Sequence, residues 1–226
     1  MSEESSPLAN FAGVARLFPL PNLVFFPHVM QPLHIFEPRY RRMTADALGG
    51  DGLIALAMLQ PDWEKDYEGK PAIYPVACLG KIIADQRFED GRYNLLLRGL
   101  KRIRILRELT DDKPYRQGEV ALLSDIEVPK AARPELRRRL GEAVNAWFPK
   151  QGGLYTQLAK VLESDLPLGA LVDILTFALP LSVQVKQQQL EDIHVERRVA
   201  RLLEQPPAET AAAALERAFP PDFSAN

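Results

Sequence analysis

Three histidines, His28, His34 and His194, a single cysteine, Cys78, and 30 acidic residues are the groups from which this chain could build a metal site or a nucleophile. Zinc needs several His, Cys or carboxylate ligands at short spacing, because each must reach one ion. His28 and His34 lie among prolines, His194 is remote from both, and Cys78 has no thiol neighbour, so no metal is expected. A phosphate-cradling loop requires G-x-x-x-x-G-K-[ST], yet Gly69-Lys70 is followed by Pro71 and Gly80-Lys81 by Ile82. The dinucleotide fingerprint and the nucleophile elbow G-x-S-x-G do not occur. Cys78 sits in the apolar run Val76–Leu79, where a thiol is buried and inert, since a reactive one needs an electropositive, partly open setting. No catalytic, cofactor-binding or metal residue is therefore assigned, and the chain is expected not to be an enzyme. A carboxylate enzyme of unrecognised type remains the alternative, with nothing to single out a pair among the acids.

Charge narrows the partners. With 28 Lys plus Arg against 30 Asp plus Glu, the net charge of −2 gives no general attraction to phosphate backbones or anionic lipid. The basic stretch Arg98 to Arg107 lacks the interleaved aromatics that stack on bases, so it reads as a solvated strand face rather than an RNA site. The most apolar window, Leu166 to Leu181, is broken by Pro167, Gly169, Asp173 and Pro180, so no membrane span is expected. Met1 to Asn10 lack the basic start and apolar run of a secretory signal, which, with a lone cysteine, points to the cytoplasm.

The elements that must position any site change character midway. From about Val14 to Val128 short apolar runs alternate with Pro, Gly and Asp, as in β-structure. Leu53 to Leu59 has the length and continuity of a strand buried on both faces, and Val76 to Ala84 is a second candidate. Asp90-Gly91 between apolar runs predicts a type I′ hairpin pairing Ile82–Phe88 with Tyr93–Arg98. Beyond Gly99, alternation puts Ile103 and Ile105 inward and Arg102 and Arg104 outward, and a further strand is expected over Gly118 to Ile126. Such spacing favours a closed or nearly closed sheet. Pro38 at a first helical position and the stop Gly49-Gly50 predict one inserted helix, with Tyr40, Met43 and Ala47 on its inner face.

From Pro134 the period becomes helical. The stripes Leu136-Leu140-Val144-Trp147, Leu154-Leu158-Leu162 and Leu171-Leu175-Leu179 predict helices of a bundle. Two more are expected, over Val183 to Leu190 and after a cap at Asp192, the last with Val195, Val199 and Leu202 inside and Glu191, Glu196, Arg197, Arg198 and Arg201 on a solvated face. The expected organisation is a flexible N-terminus over 1–13, a β domain over 14–130, a helical subdomain over 131–205, and a tail over 206–226 that is a short helix or disordered.

The run Leu17-Phe18-Pro19-Leu20-Pro21-Asn22-Leu23-Val24-Phe25-Phe26-Pro27, followed by Pro32-Leu33-His34-Ile35-Phe36-Glu37-Pro38-Arg39-Tyr40 and Met43, closely resembles the opening signature of the Lon protease N-terminal domain family. Tyr93 to Gly99 and Leu179 to Leu203 are similar to its middle and C-terminal blocks. The resemblance implies an α+β fold: a PUA-like β-barrel, or pseudo-barrel, with an inserted helix, followed by an α-helical bundle. It implies a non-catalytic module that recognises unfolded or peptide-like protein segments, an adaptor or holdase, working with a separate protease, because the ATPase and Ser-Lys protease modules have no counterpart in these 226 residues. The PUA-like fold also raises RNA binding as an alternative, through a basic surface of Arg98, Arg102 and Arg104. Phe25, Phe36, Glu37, Arg39 and Tyr40 are the candidate peptide-binding residues, lining a groove between barrel and helices. Their plainer reading is three core aromatics and a helix-end ion pair. The oligomeric state is left open.

Overall fold

The computed structural model describes residues 8–9, 11–66, 69–110, 112–147 and 153–205, and within them the switch of hydrophobic period divides the chain. Residues 1–123 and 124–226 form two units, each with a hydrophobic core of its own. The expectations for residues 1–7, residue 10 and the tail 206–226 lie outside the described residues.

Six strands make up the first unit: β1 (Val14–Leu20), β2 (Met30–Ile35), β3 (Leu53–Met58), β4 (Val76–Arg87), β5 (Tyr93–Glu108) and β6 (Arg116–Leu122). Their order is β2-β5-β4-β3-β1-β6, and β6 also pairs with β5. The circuit β1, β3, β4, β5, β6 is thus closed by hydrogen bonds, with one parallel pair, β1–β3. The 16-residue β5 achieves closure by serving two neighbours along one edge, β2 through Tyr93–Arg98 and β6 from Ile103 to Glu108. The α+β class stands, but the sheet is mixed and carries β2 outside the circuit, which departs from a simple closed barrel. Every residue of β3 is buried, as its unbroken apolar run requires, and small residues, Ala15, Ala55, Ala57 and Ala77, pack with Leu17, Leu79 and Ile103 in the core.

Helix α1 (Pro38–Leu48) interrupts the strands. Pro38 occupies the first turn, where no N–H partner is needed, and the Gly49 N–H closes on the Ala45 carbonyl. Tyr40, Met43 and Ala47 are buried at the expected spacing, and the Tyr40 ring packs on Phe18 of β1 with centroids 4.4 Å apart.

The β4–β5 hairpin has the expected pairing but a different turn. Gly91 has φ +83° while Asp90 does not enter the positive region, the Gly91 N–H bonds to the Phe88 carbonyl, and the Phe88 N–H bonds to the Arg92 carbonyl. That is a three-residue loop ending in a left-handed glycine, not the two-residue type I′ turn. A Cβ on Gly91 would also collide with the Arg41 guanidinium.

Among the described residues five α-helices build the second unit: α2 (Arg133–Trp147), α3 (Gly153–Glu163), α4 (Leu168–Ala178), α5 (Val183–Glu191) and α6 (Val195–Leu203). Leu140, Val144, Trp147, Leu158, Leu171, Leu175, Val195, Val199 and Leu202 share one core. Two expectations are corrected. Asp192 is not the cap of α6; His194 holds that position, and the Asp192 carboxylate accepts the His194 N–H and the Arg197 and Arg201 guanidiniums. Arg198 is not solvated but fully buried, donating to Asp173 of α4 and to Asp125, while Gly169 leaves room beside that ion pair. Spacing explains it, for Arg198 lies three residues after Val195 and four before Leu202, on the inner face. None of these helices is long and apolar enough to cross a membrane.

Candidate peptide-binding face

All five candidate residues lie in the first unit, but they do not form one surface. Phe25 is 1% exposed, its ring so close to Gly80 that a Cβ there would stand 2.8 Å from it. Tyr40 is buried against Phe18, with the Arg39 guanidinium 4.7 Å from its ring centre. Glu37 and Arg39 form an ion pair at 2.9 Å at the entrance to α1, partly exposed, and the Glu37 side chain makes no cap hydrogen bond. Phe36 alone among the three aromatics reaches solvent, at 42%.

Phe36 belongs to a larger face. Alternation along β2 turns Leu33 and Ile35 into the core and Pro32, His34 and Phe36 outward. The register sets Pro32 opposite Leu96 and Leu96 opposite Ala84, and His34 opposite Asn94 and Asn94 opposite Gln86. Paired residues share a face, so β2, the first half of β5 and the second half of β4 present one outer surface. It holds Met30 at 51% exposed, Pro32, partly buried Leu96, Ala84 and Ile83. Ile83 arrives there through the register shift between Ile82 and Ala84, which inserts one extra residue. Near the hairpin end His34 lies 6.2 Å from Phe36 and 6.3 Å from Phe88, centre to centre. β2 ends the strand order, and proline at position 32 suits such an edge, since it has no N–H to donate. The Gln31 side chain occupies the Pro32 carbonyl at 2.8 Å.

Polar side chains also cross this surface, Arg98 opposite Met30 and the row His34, Asn94 and Gln86 between Pro32 and Phe36. His34 Nδ1 donates to Asn94 Oδ1 at 2.8 Å. The Arg92 guanidinium lies over Phe88 and binds Asp90 at 2.6 Å. Asp90 is held below the ordinary carboxylate range, first by the Arg92 backbone N–H and also by its side chain. Beside the hairpin a shallow hollow of about 300 Å³ is lined by Pro38, Arg41, Arg42, Ala45, Arg87, Gly91 and Tyr93. A second, of about 550 Å³, is lined by Arg42, Asp112, Lys113 and Pro114. Close to it Asp46 receives Lys113 and Tyr115, both at 2.8 Å. Burial, then the Asp46 carboxylate, pushes the Tyr115 hydroxyl up to about 12.

Cys78 is fully buried in β4. Arg102 is 2% exposed rather than solvated; its neighbour Ile103 points to the opposite side of β5 and is buried too, so the strand is covered on both faces there. Arg98, Arg102 and Arg104 therefore make no continuous basic surface, and Arg107 is paired with Glu119. Among the described residues no three His, Cys, Asp or Glu side chains gather as metal ligands.

Met30, Pro32, Ile83, Phe88 and Leu96 are the members of the face that sequence reasoning did not select. The signal was present in the order Pro32-Leu33-His34-Ile35-Phe36, apolar at positions on both faces of one strand. The chain matches the family model described as the ATP-dependent protease La (LON) substrate-binding domain over residues 14–205. Similar proteins include the Lon protease of Dictyoglomus thermophilum, 28% identical over 84% of this chain and 24% of that one, and Lon protease 2 of Syntrophobacter fumaroxidans, 30% identical over 78% and 22%. The chain thus spans about a quarter of the length of such relatives. The crystal structure of a Lon N-terminal domain protein from Xanthomonas campestris superposes with a TM-score of 0.58 at 25% identity, covering 85% of this chain and 99% of that one. The N-terminal domain of the Mycobacterium avium complex Lon protease gives 0.64 at 18% identity over 84% and 95%.

Proposed function

The chain belongs to the LON substrate-binding domain family, and from that premise we propose that it is a non-catalytic module that holds unfolded or peptide-like protein segments on the outer face of β2, β5 and β4. We read it as an adaptor or holdase acting with a separate protease, and its closed strand circuit as a PUA-like pseudo-barrel. The observation that carries the reading is the exposure of Met30, Phe36 and Ile83 at 51%, 42% and 41% on one sheet face. Scattered apolar side chains are ordinary on a surface, whereas these share one sheet face with Pro32, Leu96 and Phe88, crossed by the His34-Asn94 row. An extended segment suits it, because a flat sheet face offers side-chain contacts in rows at strand spacing.

The test is an anisotropy titration of a labelled, permanently unfolded polypeptide with the purified chain. Covering the exposed part of the Phe36 ring removes roughly 80 Å² from water, worth about 2 kcal/mol before ordering costs. Saturable binding that weakens on the order of tenfold in Phe36→Ser, and further with Met30→Ser, supports the assignment. Binding that is unchanged in the double variant removes this face from the account.

A further inference from the structure

Resting on that reading, we infer that the sheet face selects extended client segments by the spacing of their side chains. A carboxylate sits on Arg98, an aliphatic side chain two residues along covers Leu96 and Pro32, and an aromatic one four residues further meets Phe36 and Phe88. The registers of β2 with β5 and of β5 with β4 divide the face into rows that step two residues at a time. Met30 and Arg98 form the first, Pro32, Leu96 and Ala84 the second, and His34, Asn94 and Gln86 the third. Past the third row stand the Phe36 and Phe88 rings, centred 6.2 and 6.3 Å from that of His34. Successive rows lie about 6.6 Å apart, two residues at about 3.3 Å each. An extended client turns every second side chain to one side, so a client running along the strands meets the rows in step.

Charge distinguishes the two ends of the face. Arg98 is exposed, and among the described residues no ion pair or hydrogen bond engages its guanidinium. Lys81, directly across on β4, is a second cation, and its ammonium turns away to the Asp51 carbonyl at 2.5 Å. Like charges set opposite one another repel, so an anion at Arg98 relieves that pair as well as binding the guanidinium. At the other end Arg92 already holds Asp90 at 2.6 Å, and exposed Glu89 adds a second acid. A client carboxylate is therefore drawn to Arg98 and repelled from the hairpin end. One planar fork of N–H donors matches one carboxylate in charge and shape, whereas a phosphate backbone calls for a run of cations. Between the two apolar positions the amides of Asn94 and Gln86 suit a polar client residue.

The experiment uses three labelled peptides of about eleven residues. The first carries Glu, Leu, Gln and Phe at alternate positions in that order, and the second has Gln in place of Glu. The third moves Glu one residue toward Leu, which turns it to the opposite side of the extended segment at the same net charge. Each is titrated by anisotropy against the full chain and against Arg98→Gln. The first peptide is expected to bind about threefold to fivefold tighter than either of the others, an advantage that shrinks in added salt and disappears in Arg98→Gln. Arg98 is exposed, and the comparison of the three peptides on the unaltered protein needs no variant at all. Equal affinities on the unaltered protein, or a preference that survives Arg98→Gln, overturn the inference and leave peptide recognition standing. A third peptide as tight as the first means attraction by net charge without a seat at Arg98, and overturns it too. Failure of all three peptides to bind overturns the inference together with the reading it rests on. Single-stranded RNA that displaces the first peptide from the unaltered chain but not from Arg98→Gln reassigns Arg98 to phosphate and overturns the inference as well.

Discussion

Substituting Arg198 with Met should unfold the helical unit far more readily than any surface change. Arg198 has no solvent exposure, and its guanidinium is shared between Asp173, whose side chain is 2% exposed, and Asp125, at 23%. Methionine removes the charge but fills much of the volume, so the loss comes from taking the guanidinium away from Asp173, which stays buried between α4 and α6. Removing one partner of a buried pair costs about 3 to 5 kcal/mol, because the remaining charge loses its counter-charge without regaining water. Against a domain stability of about 5 to 15 kcal/mol that is a large fraction. The assay is urea unfolding followed by far-ultraviolet ellipticity, which reports mainly α2 to α6. With a slope near 2 kcal/mol per molar urea, the midpoint should fall by about 2 M. Adding Asp173→Leu should recover part of the loss, since Asp125 can turn to water and no charge is left buried. A midpoint in Arg198→Met within about 0.3 M of the unaltered chain, or a double variant worse than the single, would mean that the buried ion pair does not hold α4 and α6 together.

Gly99→Ala should be severely destabilising, by about 3 kcal/mol or more, because its Cβ would strike the backbone carbonyl of Phe26, which has no side-chain freedom to yield; a thermal melt of the variant decides it. Lys186 donates to the Phe177 carbonyl at 2.8 Å, yet burial lowers its ammonium to about 8, so between about pH 8 and the unfolded value near 10.4 the folded state binds fewer protons. Stability from this group therefore rises with pH across that window, and Lys186→Met should remove that slope from urea midpoints measured along it. Of the six tyrosines, Tyr115 should be among the last to ionise, near 12, in an ultraviolet titration, and Asp46→Asn should bring it down while leaving the part due to burial. A Tyr115 titration unmoved by Asp46→Asn would mean that the hydrogen bond does not form in solution.

Local chemistry made much of this fold readable. Pro38 and Gly49-Gly50 bound α1, and the apolar stripes gave the helices from α2 to α6, because start and stop residues and periodicity act within a few positions. What escaped depends on how distant segments meet. Arg198 reads as surface by residue type and as core by spacing, and only Asp173 and Asp125, brought to it by folding, decide between them. Arg102 obeys strand alternation but is buried because β5 is covered on both sides at that point. The hairpin turn followed Gly91 alone, since its three-residue loop asks for only one positive φ. The candidate site was half legible: Phe36 was named, while Phe88, Leu96 and Ile83 join it only through the pairing of β2 with β5 and β5 with β4.

Whether this face receives client segments is decided by mapping amide chemical shifts of the isotope-labelled chain as an unfolded polypeptide is added. Perturbations should gather on residues 30–36, 83–88 and 92–98 and saturate together. Saturable binding whose perturbations fall instead around exposed Leu106 and Leu122, or on the helices from Arg133 to Leu203, would contradict it.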